Sequence, residues 1–209
     1  LVLMMGLGNW SKVSMREMQA LDSFMRGFLD QVEPGALVIC HTDVTCFAGL
    51  QLTKTEDKYR EINMVAVTEQ IEVDNPDKDI FMFGYKDNPF RYMELITWNL
   101  MEMKRPVYLT EIEPGYFDLL GMDAKWMMVH PYHGGYKLTC DGVEDVGGNF
   151  GGGNMGQVGE DNATARNIRA MQAEYAATAA TIYGRLGKKQ AAAEMITVGL
   201  GIDPSSTSL

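Results

Sequence analysis

Cysteine is scarce in this 209-residue sequence, which contains only Cys40, Cys46 and Cys140. Three cysteines cannot all pair within one chain and are too few for a disulfide scaffold, so they leave the redox compartment open. Basic residues are also few, because 18 Lys and Arg stand against 28 Asp and Glu, for a net charge of −10. A negative surface without a basic patch repels nucleic-acid phosphates and anionic lipid headgroups. We therefore predict no nucleic-acid partner.

The apolar start of the chain is too short to cross a bilayer. Leu1 to Gly8 would extend about 12 Å as a helix, against roughly 30 Å of hydrocarbon. Because the chain begins without Met and without a basic region, we expect it to be a segment of a longer protein. The sequence also lacks the G-x-S-x-G and G-x-x-x-x-G-K-[ST] motifs, which weakens a serine hydrolase or P-loop interpretation. No catalytic residue, metal ion or cofactor is predicted.

Apolar residues in the first part of the chain follow helical and strand patterns in turn. The spacing of Met18, Leu21, Met25 and Phe28 predicts a helix from Ser14 to Leu29, which Ser14 and Glu17 begin as a capping box. The continuous apolar run 36–40 predicts a strand that is buried on both faces. Five further elements are predicted: a helix over about 44–53, a strand over 62–68, a strand or helix edge over 80–83, a helix over about 90–103, and a strand over 107–112.

This alternation predicts an α/β domain over residues 1–145, with a three-layer, mostly parallel, Rossmann-like sheet. Residues 113–140 are expected to be irregular with short strands, because glycine and proline interrupt them. Residues 146–160 are rich in glycine, which loses too much backbone entropy on ordering to form a regular element. We predict a linker or loop there.

Beyond this stretch the composition becomes rich in alanine. Two helices are predicted, over about 162–184 and 188–201, so residues 161–209 form a helical hairpin. The hairpin resembles one tetratricopeptide repeat, with matching small, aromatic, turn and bulky positions at Ala180, Tyr183, Gly187, Ala192, Ile196 and Gly199. An ordinary αα-hairpin with alanine at the crossing is the alternative.

A lone repeat cannot bury its own apolar face. The hairpin is therefore expected either to dock on the α/β domain or to continue into further repeats. We predict that it contacts a protein or peptide partner through Tyr175, Tyr183 and Arg185.

The turn after the first strand is the strongest candidate site. His41, Thr42, Asp43, Thr45 and Cys46 follow the apolar run, at the strand end where ligands gather in α/β proteins. One interpretation makes Cys46 a nucleophile with His41 as its base. The other is that Asp and Thr only satisfy backbone amides in the turn. We predict these five residues as ligand-binding candidates.

Two other patterns have weaker support. His130, His133 and Cys140 are residue types that bind zinc, but no fourth ligand is evident and a surface or packing role is favoured. Gly151–Gly156 spells G-x-G-x-x-G, but no apolar strand precedes it, as a dinucleotide-binding turn would require.

The order of segments resembles the soluble region that follows the last membrane helix in GT-C-type, protein O-mannosyltransferase-like membrane proteins. The resemblance lies in Asn9-Trp10, Val13-Ser14, the run from Glu33 to Asp43, Thr45 to Ala48, Leu50-Gln51, Leu95 to Trp98 and Lys104 to Thr110. It implies an extracytoplasmic domain (periplasmic, cell-surface or lumenal) of a transferase that uses a polyisoprenyl-phosphate sugar. In that family the catalytic acid lies in an early membrane-proximal loop, which this chain does not contain.

The resemblance therefore implies a non-catalytic accessory domain that positions an acceptor or partner protein, with the membrane reached only through upstream spans. The alternative is a stand-alone α/β enzyme, a hydrolase or transferase, that uses the turn at His41, Asp43 and Cys46. The two hypotheses differ in what precedes Leu1 in the gene and in whether the turn residues line a pocket.

Overall fold

The computed structural model describes residues 15–66, 96–112, 127–140 and 163–204. Several predicted features lie outside these residues: the Ser14 cap, the element at 80–83, the first part of the helix at 90–103, the glycine-rich stretch 146–160 and the Gly151–Gly156 pattern. Within the described ranges, no helix combines the length and the apolar character needed to cross a bilayer.

The described elements follow the predicted order closely. They are α1 (Met15–Leu29), β1 (Leu37–Cys40), α2 (Asp43–Thr55), a 3₁₀ turn (Asp57–Tyr59), β2 (Asn63–Ala66), a π-helical turn (Trp98–Glu102), β3 (Val107–Leu109), β4 (Met127–Tyr132), β5 (Gly135–Cys140), α3 (Ala163–Arg185) and α4 (Lys189–Ile202). The helices predicted at 14–29, 44–53, 162–184 and 188–201 are confirmed within one or two residues. The predicted strand at 107–112 is shorter, because the ladder ends at Leu109.

The five strands form one sheet in the order β2-β1-β3-β5-β4. β1 pairs in parallel with both β2 and β3. β5 pairs antiparallel with β3 and with β4. The predicted α/β class is confirmed, and the sheet is mixed, with parallel strands on one side and a hairpin on the other.

The β4–β5 hairpin arises in the stretch predicted to be irregular with short strands. Tyr132 and Gly135 are paired, which leaves His133 and Gly134 as a two-residue turn. Both turn residues have positive φ, 46° for His133 and 93° for Gly134. Such values are those of a type I′ turn, whose twist matches that of the flanking strands.

Helices pack on both faces of the sheet. Val38, Cys40 and Tyr108 lie in a core with residues of α1 and α2. Leu37, Ile39, Val107 and Leu109 lie in a second core on the opposite face. β1 is therefore fully buried on both sides, which explains why its sequence is a continuous apolar run.

The second core includes the helical hairpin. Tyr175, Ala176, Ala179 and Ile182 of α3 belong to the same buried cluster as the inner strands. The hairpin thus docks on the α/β layer, which is one of the two alternatives that the sequence left open. Burial of this apolar face supplies the main stabilisation of a helix so rich in alanine.

Candidate functional site

The site lies where the order of the parallel strands reverses. From β1 the chain passes through α2 to β2 on one side, whereas β3 lies on the other side of β1. The carboxyl ends of β1 and β3 lie side by side at one edge of the sheet, and the chain leaves β1 towards β2, away from β3. A crevice at such a switch point is the usual binding location in open α/β sheets.

Threonine and glutamate side chains fill this crevice. The Thr42 hydroxyl donates to Glu111 Oε1 at 2.8 Å, and the backbone N–H of His41 donates to Glu111 Oε2 at 3.3 Å. Thr45 Oγ1 lies 3.2 Å from the same Oε2. The Thr110 hydroxyl also donates to Oε2. The Glu111 carboxylate is therefore held by groups from both strand ends.

Thr42 has a second function in the same place, because it is the N-cap of α2. Its Oγ1 accepts a hydrogen bond from the backbone N–H of Thr45 at 3.4 Å, which satisfies one donor of the first helical turn. The Glu111 carboxylate thus lies beside the N-terminus of α2, where the helix dipole favours negative charge. These threonines therefore satisfy polar groups of the turn, and they do so at the position where the sequence predicted a ligand site.

A cavity of about 120 Å³ lies over this cluster, between the sheet edge and α3. The sheet side contributes Thr42, Thr110 and Glu111, and α3 contributes Glu174, Tyr175 and Thr178. His41 also lines the cavity. Its side chain is 5% exposed, and burial lowers its pKa to about 4, so the imidazole is neutral at pH 7.

Two tyrosines form the inner wall of the cavity. The rings of Tyr136 and Tyr175 lie 5.3 Å apart between centroids, at an angle of 53°. Tyr175 is 6% exposed, and its hydroxyl has no hydrogen-bond partner among the described residues. Burial raises the pKa of Tyr175, and the nearby backbone of Gly134 and Tyr132 partly offsets this rise.

The field in the cavity is negative. None of the described lining residues is a lysine or an arginine, whereas Glu111 and Glu174 both contribute carboxylates. Burial raises the pKa of Tyr136 well above its ordinary value, and Tyr175 and these two carboxylates raise it further. Both charges therefore act at the inner wall.

Cys46, the predicted nucleophile, is joined to Cys40 by a disulfide bond of 2.07 Å. Both residues are fully buried. A nucleophilic cysteine must be a thiolate, so Cys46 cannot attack a substrate in this state. The bond instead ties the end of β1 to the first turn of α2 and closes the loop that carries His41, Thr42 and Thr45.

The remaining predicted residues lie in different settings. Asp43 begins α2, but its side chain lies outside the described residues. Tyr175 and Tyr183, predicted to contact a partner, are buried against the sheet at 6% and 5% exposure, and Arg185 is exposed at the end of α3. This differs from the prediction, because the aromatic face of the hairpin is taken up by the sheet.

The zinc-type residues do not gather into a metal site. His130 Nε2 forms a 2.9 Å hydrogen bond with Thr139 Oγ1 across the hairpin, and His133 occupies the β4–β5 turn. Within the described part of the chain, no group of three His, Cys, Asp or Glu side chains is arranged to hold a metal ion. The packing interpretation of His130 agrees with this geometry.

Sequence reasoning missed Thr110, Glu111, Glu174 and Thr178, and it assigned Tyr175 to a partner surface rather than to this pocket. A signal for the first two was present, because Thr110 and Glu111 directly follow the apolar residues Val107–Leu109 at the end of a second parallel strand. The prediction extended the strand through them to residue 112. No local signal marks Glu174, Tyr175 and Thr178, which reach the site only because α3 docks on the sheet.

No protein-family model, curated protein or solved structure matches this chain. The described geometry defines an α/β protein with a small, negatively charged pocket at a topological switch point. The residues of that pocket therefore carry the functional conclusion.

Proposed function

We propose that this chain is a non-catalytic binding domain that holds a small ligand, or a small group of a larger acceptor, in the switch-point pocket. The observation that carries the proposal is a cavity between the strand ends and α3 that both Glu111 and Tyr175 line. A concave apolar wall with a few convergent polar groups is the usual form of a small-ligand site.

The chemistry of the pocket favours binding over catalysis. The candidate nucleophile Cys46 is held in a disulfide, and His41, with a pKa of about 4, is a weak base at neutral pH. The Glu111 carboxylate is occupied by three threonine hydroxyls and a backbone amide. These observations give less support to the alternative of a stand-alone enzyme that uses His41, Asp43 and Cys46.

The wider role is that of an extracytoplasmic accessory domain in a membrane glycosyltransferase-like protein. The segment resemblance over residues 33–51 and 104–110 supports it, and the Cys40–Cys46 disulfide is consistent with an oxidising compartment. The reading frame upstream of Leu1 tests this role. Several apolar membrane spans are expected there, and an ordinary water-soluble start would contradict it.

The α3–α4 hairpin is the second part of the proposal, as a unit with tetratricopeptide-like packing. Ala180 and Gly199, two of the small positions of the pattern, are buried, and Gly187 has a φ of 74° in the turn. Gly199→Leu is expected to disrupt this packing and lower the thermal midpoint. Gly201→Leu, at an exposed position with open space around it, is the control and should not lower the midpoint.

Saturation-transfer NMR tests the pocket with three small probes, ethanolamine, glycerol and acetate. At least one probe is expected to bind the wild-type protein. Thr178→Trp, which fills the cavity from α3, should abolish that signal, whereas Thr181→Trp on the exposed side of the same helix should retain it. Absence of binding by every probe, or binding that survives Thr178→Trp, would contradict the proposal.

A further inference from the structure

We propose that the outer face of α4 is the interface of a symmetric dimer, in which α4 packs antiparallel against α4 of a second copy of this chain. The proposal goes beyond the binding function of the pocket and does not depend on it. Three observations on α4 carry it: the outward direction of its large apolar residues, their spacing along the helix, and the charges at its two ends.

α4 exposes more large apolar side chains than it buries. Met195 is buried in the core that α3 and the sheet share, and α4 also buries the small residue Gly199. Three large apolar residues are more than one-third exposed: Ile196 (37%), Val198 (38%) and Leu200 (43%). A helix on a protein surface normally turns its bulky apolar residues towards the core. The reverse arrangement in α4 indicates a second surface that packs against it.

Two of these exposed residues lie on one narrow stripe of the helix. At about 100° of rotation per residue, Ala193, Ile196 and Leu200 fall within roughly 60° of one another, and all three are exposed. We call these three residues the α4 stripe. Spacings of three and four residues are those of the apolar seam along which two helices pack in a coiled coil. Val198 lies about 160° away from Ile196 and is therefore outside the stripe.

The charges at the ends of α4 select the occupant of the stripe and its direction. Lys189 lies seven residues before Ile196, and Asp203, the C-cap, lies seven residues after it. Because seven residues are one heptad, both charges lie on the side of the helix that carries the stripe. In an antiparallel pair centred on Ile196, Lys189 of each copy lies beside Asp203 of the other copy. A parallel pair would instead bring like charges together, which is unfavourable.

The same two charges are unfavourable in a lone helix. The helix dipole favours negative charge at the N-terminus and positive charge at the C-terminus, whereas α4 has Lys189 at its start and Asp203 at its end. α3 is also antiparallel to α4, but with 23 residues against 14 its N-terminus lies beyond Asp203. A second α4 of equal length brings its N-terminus to Asp203 and its C-terminus to Lys189. A second copy thus supplies the complementary charge, dipole and apolar stripe together.

The length of α4 sets the expected strength of the dimer. Its 14 residues extend about 21 Å, so one pair of helices forms an interface at the small end of specific contacts. We expect a reversible dimer with a dissociation constant on the order of 10 μM.

Sedimentation velocity on the full chain, from about 1 to 200 μM, tests the interface. Ile196→Glu should raise the dissociation constant at least about tenfold, because it places two carboxylates at the centre of the seam. Val198→Glu is the matched control, since Val198 has nearly the same exposure on the same helix but lies outside the stripe. It should change the constant less than about twofold. At 1 μM, where the chain is monomeric, the two variants should have equal thermal midpoints.

Exchange of the end charges tests the antiparallel direction. Lys189→Glu and Asp203→Lys should each weaken the dimer about fivefold or more, because like charges then meet twice. An equimolar mixture of these two single variants should regain the affinity of the wild type, since every contact in the mixed dimer joins opposite charges. A dimer that Ile196→Glu leaves intact, or a mixture no tighter than its components, would overturn the proposal. A chain that stays monomeric at 200 μM would also overturn it and would assign the stripe to a following helix or to a different protein.

Discussion

Thr42 and Glu111 lie 69 residues apart in the sequence, and the hydroxyl of Thr42 donates to the carboxylate of Glu111 at 2.8 Å. Thr42 caps the helix that follows β1, and Glu111 follows β3. This hydrogen bond therefore links two neighbouring parallel strands at the edge where the pocket opens. The position of the pocket and the start of α2 depend on the same pair.

Removal of the Glu111 carboxylate should destabilise the fold as well as change the pocket. Glu111→Ala leaves the Thr42 and Thr110 hydroxyls and the His41 N–H without their acceptor, and we expect a loss of about 2 kcal/mol in the free energy of unfolding. Urea denaturation measures this loss. Glu111→Gln retains one acceptor oxygen and should lose less, and Glu61→Ala at an exposed position should change little. Equal stability of Glu111→Ala and wild type would show that the cluster does not hold the strand ends together.

The Cys40–Cys46 disulfide should stabilise the protein by restricting the unfolded chain. It closes a short loop, with a sequence separation of 6, so its reduction or the double substitution to alanine is expected to cost about 2 kcal/mol. Denaturation curves with and without a reducing agent measure the difference. Cys140→Ala should keep the full response to the reducing agent, because Cys140 is outside this disulfide. A response that persists in the Cys40/Cys46 double variant would contradict the assignment.

His41 should make the stability dependent on pH. Burial lowers its pKa from 6.5 to about 4, so the unfolded state binds more protons than the folded state between these two values. The contribution of the neutral His41 to the free energy of unfolding is then fully present above pH 6.5. It falls as the pH drops towards 4, by about 2 kcal/mol between pH 7 and pH 5.

Urea denaturation of wild type and His41→Gln at both pH values isolates this contribution. The variant should lose most of the extra pH dependence. Burial also lowers the pKa of His133, but that residue is only half-buried in a turn. His133→Gln should therefore retain most of the pH dependence of stability. Parallel pH profiles for wild type and His41→Gln would rule out the buried neutral imidazole as the cause.

Two glycines should respond in opposite ways to a methyl group. A Cβ at Gly135 would lie 2.6 Å from the Leu109 carbonyl oxygen and 2.6 Å from the Phe28 ring, so Gly135→Ala is expected to cost about 1–3 kcal/mol. A Cβ at Gly184 in α3 has no atom within 4 Å, and Gly184→Ala should stabilise the helix by up to about 1 kcal/mol. Thermal unfolding compares the two. Similar midpoints would show that β5 does not approach β3 and α1 as closely as described.

The elements predicted well are those with a strong local pattern. α1 and β1 follow from helical spacing and from a continuous apolar run, because burial on one face or on two faces leaves a direct trace in the order of residues. The β4–β5 hairpin was missed as a unit. Its turn, His133-Gly134, lacks the Asn-Gly or Asp-Gly pair that most clearly signals such a connection.

The candidate site was only half predictable. The threonines after β1 could be found because they follow an unmistakable strand, and the ends of such strands gather ligands. Glu111 and Tyr175 reach the same cavity through the pairing of β3 with β1 and through the docking of α3, neither of which has a local signature. The pairing of Cys40 with Cys46 was also open, because three cysteines permit three different pairs.

By itself the sequence determined the helices, the inner strands and the negative charge of the chain, because each depends on residues close together or on a simple sum. Tertiary structure alone decided that the strand ends, α1 and α3 enclose one pocket, that the hairpin covers the sheet, and that Cys46 is tied to Cys40. These are contacts between distant segments, and their free energy comes from burying surfaces that meet only when the whole sheet has formed.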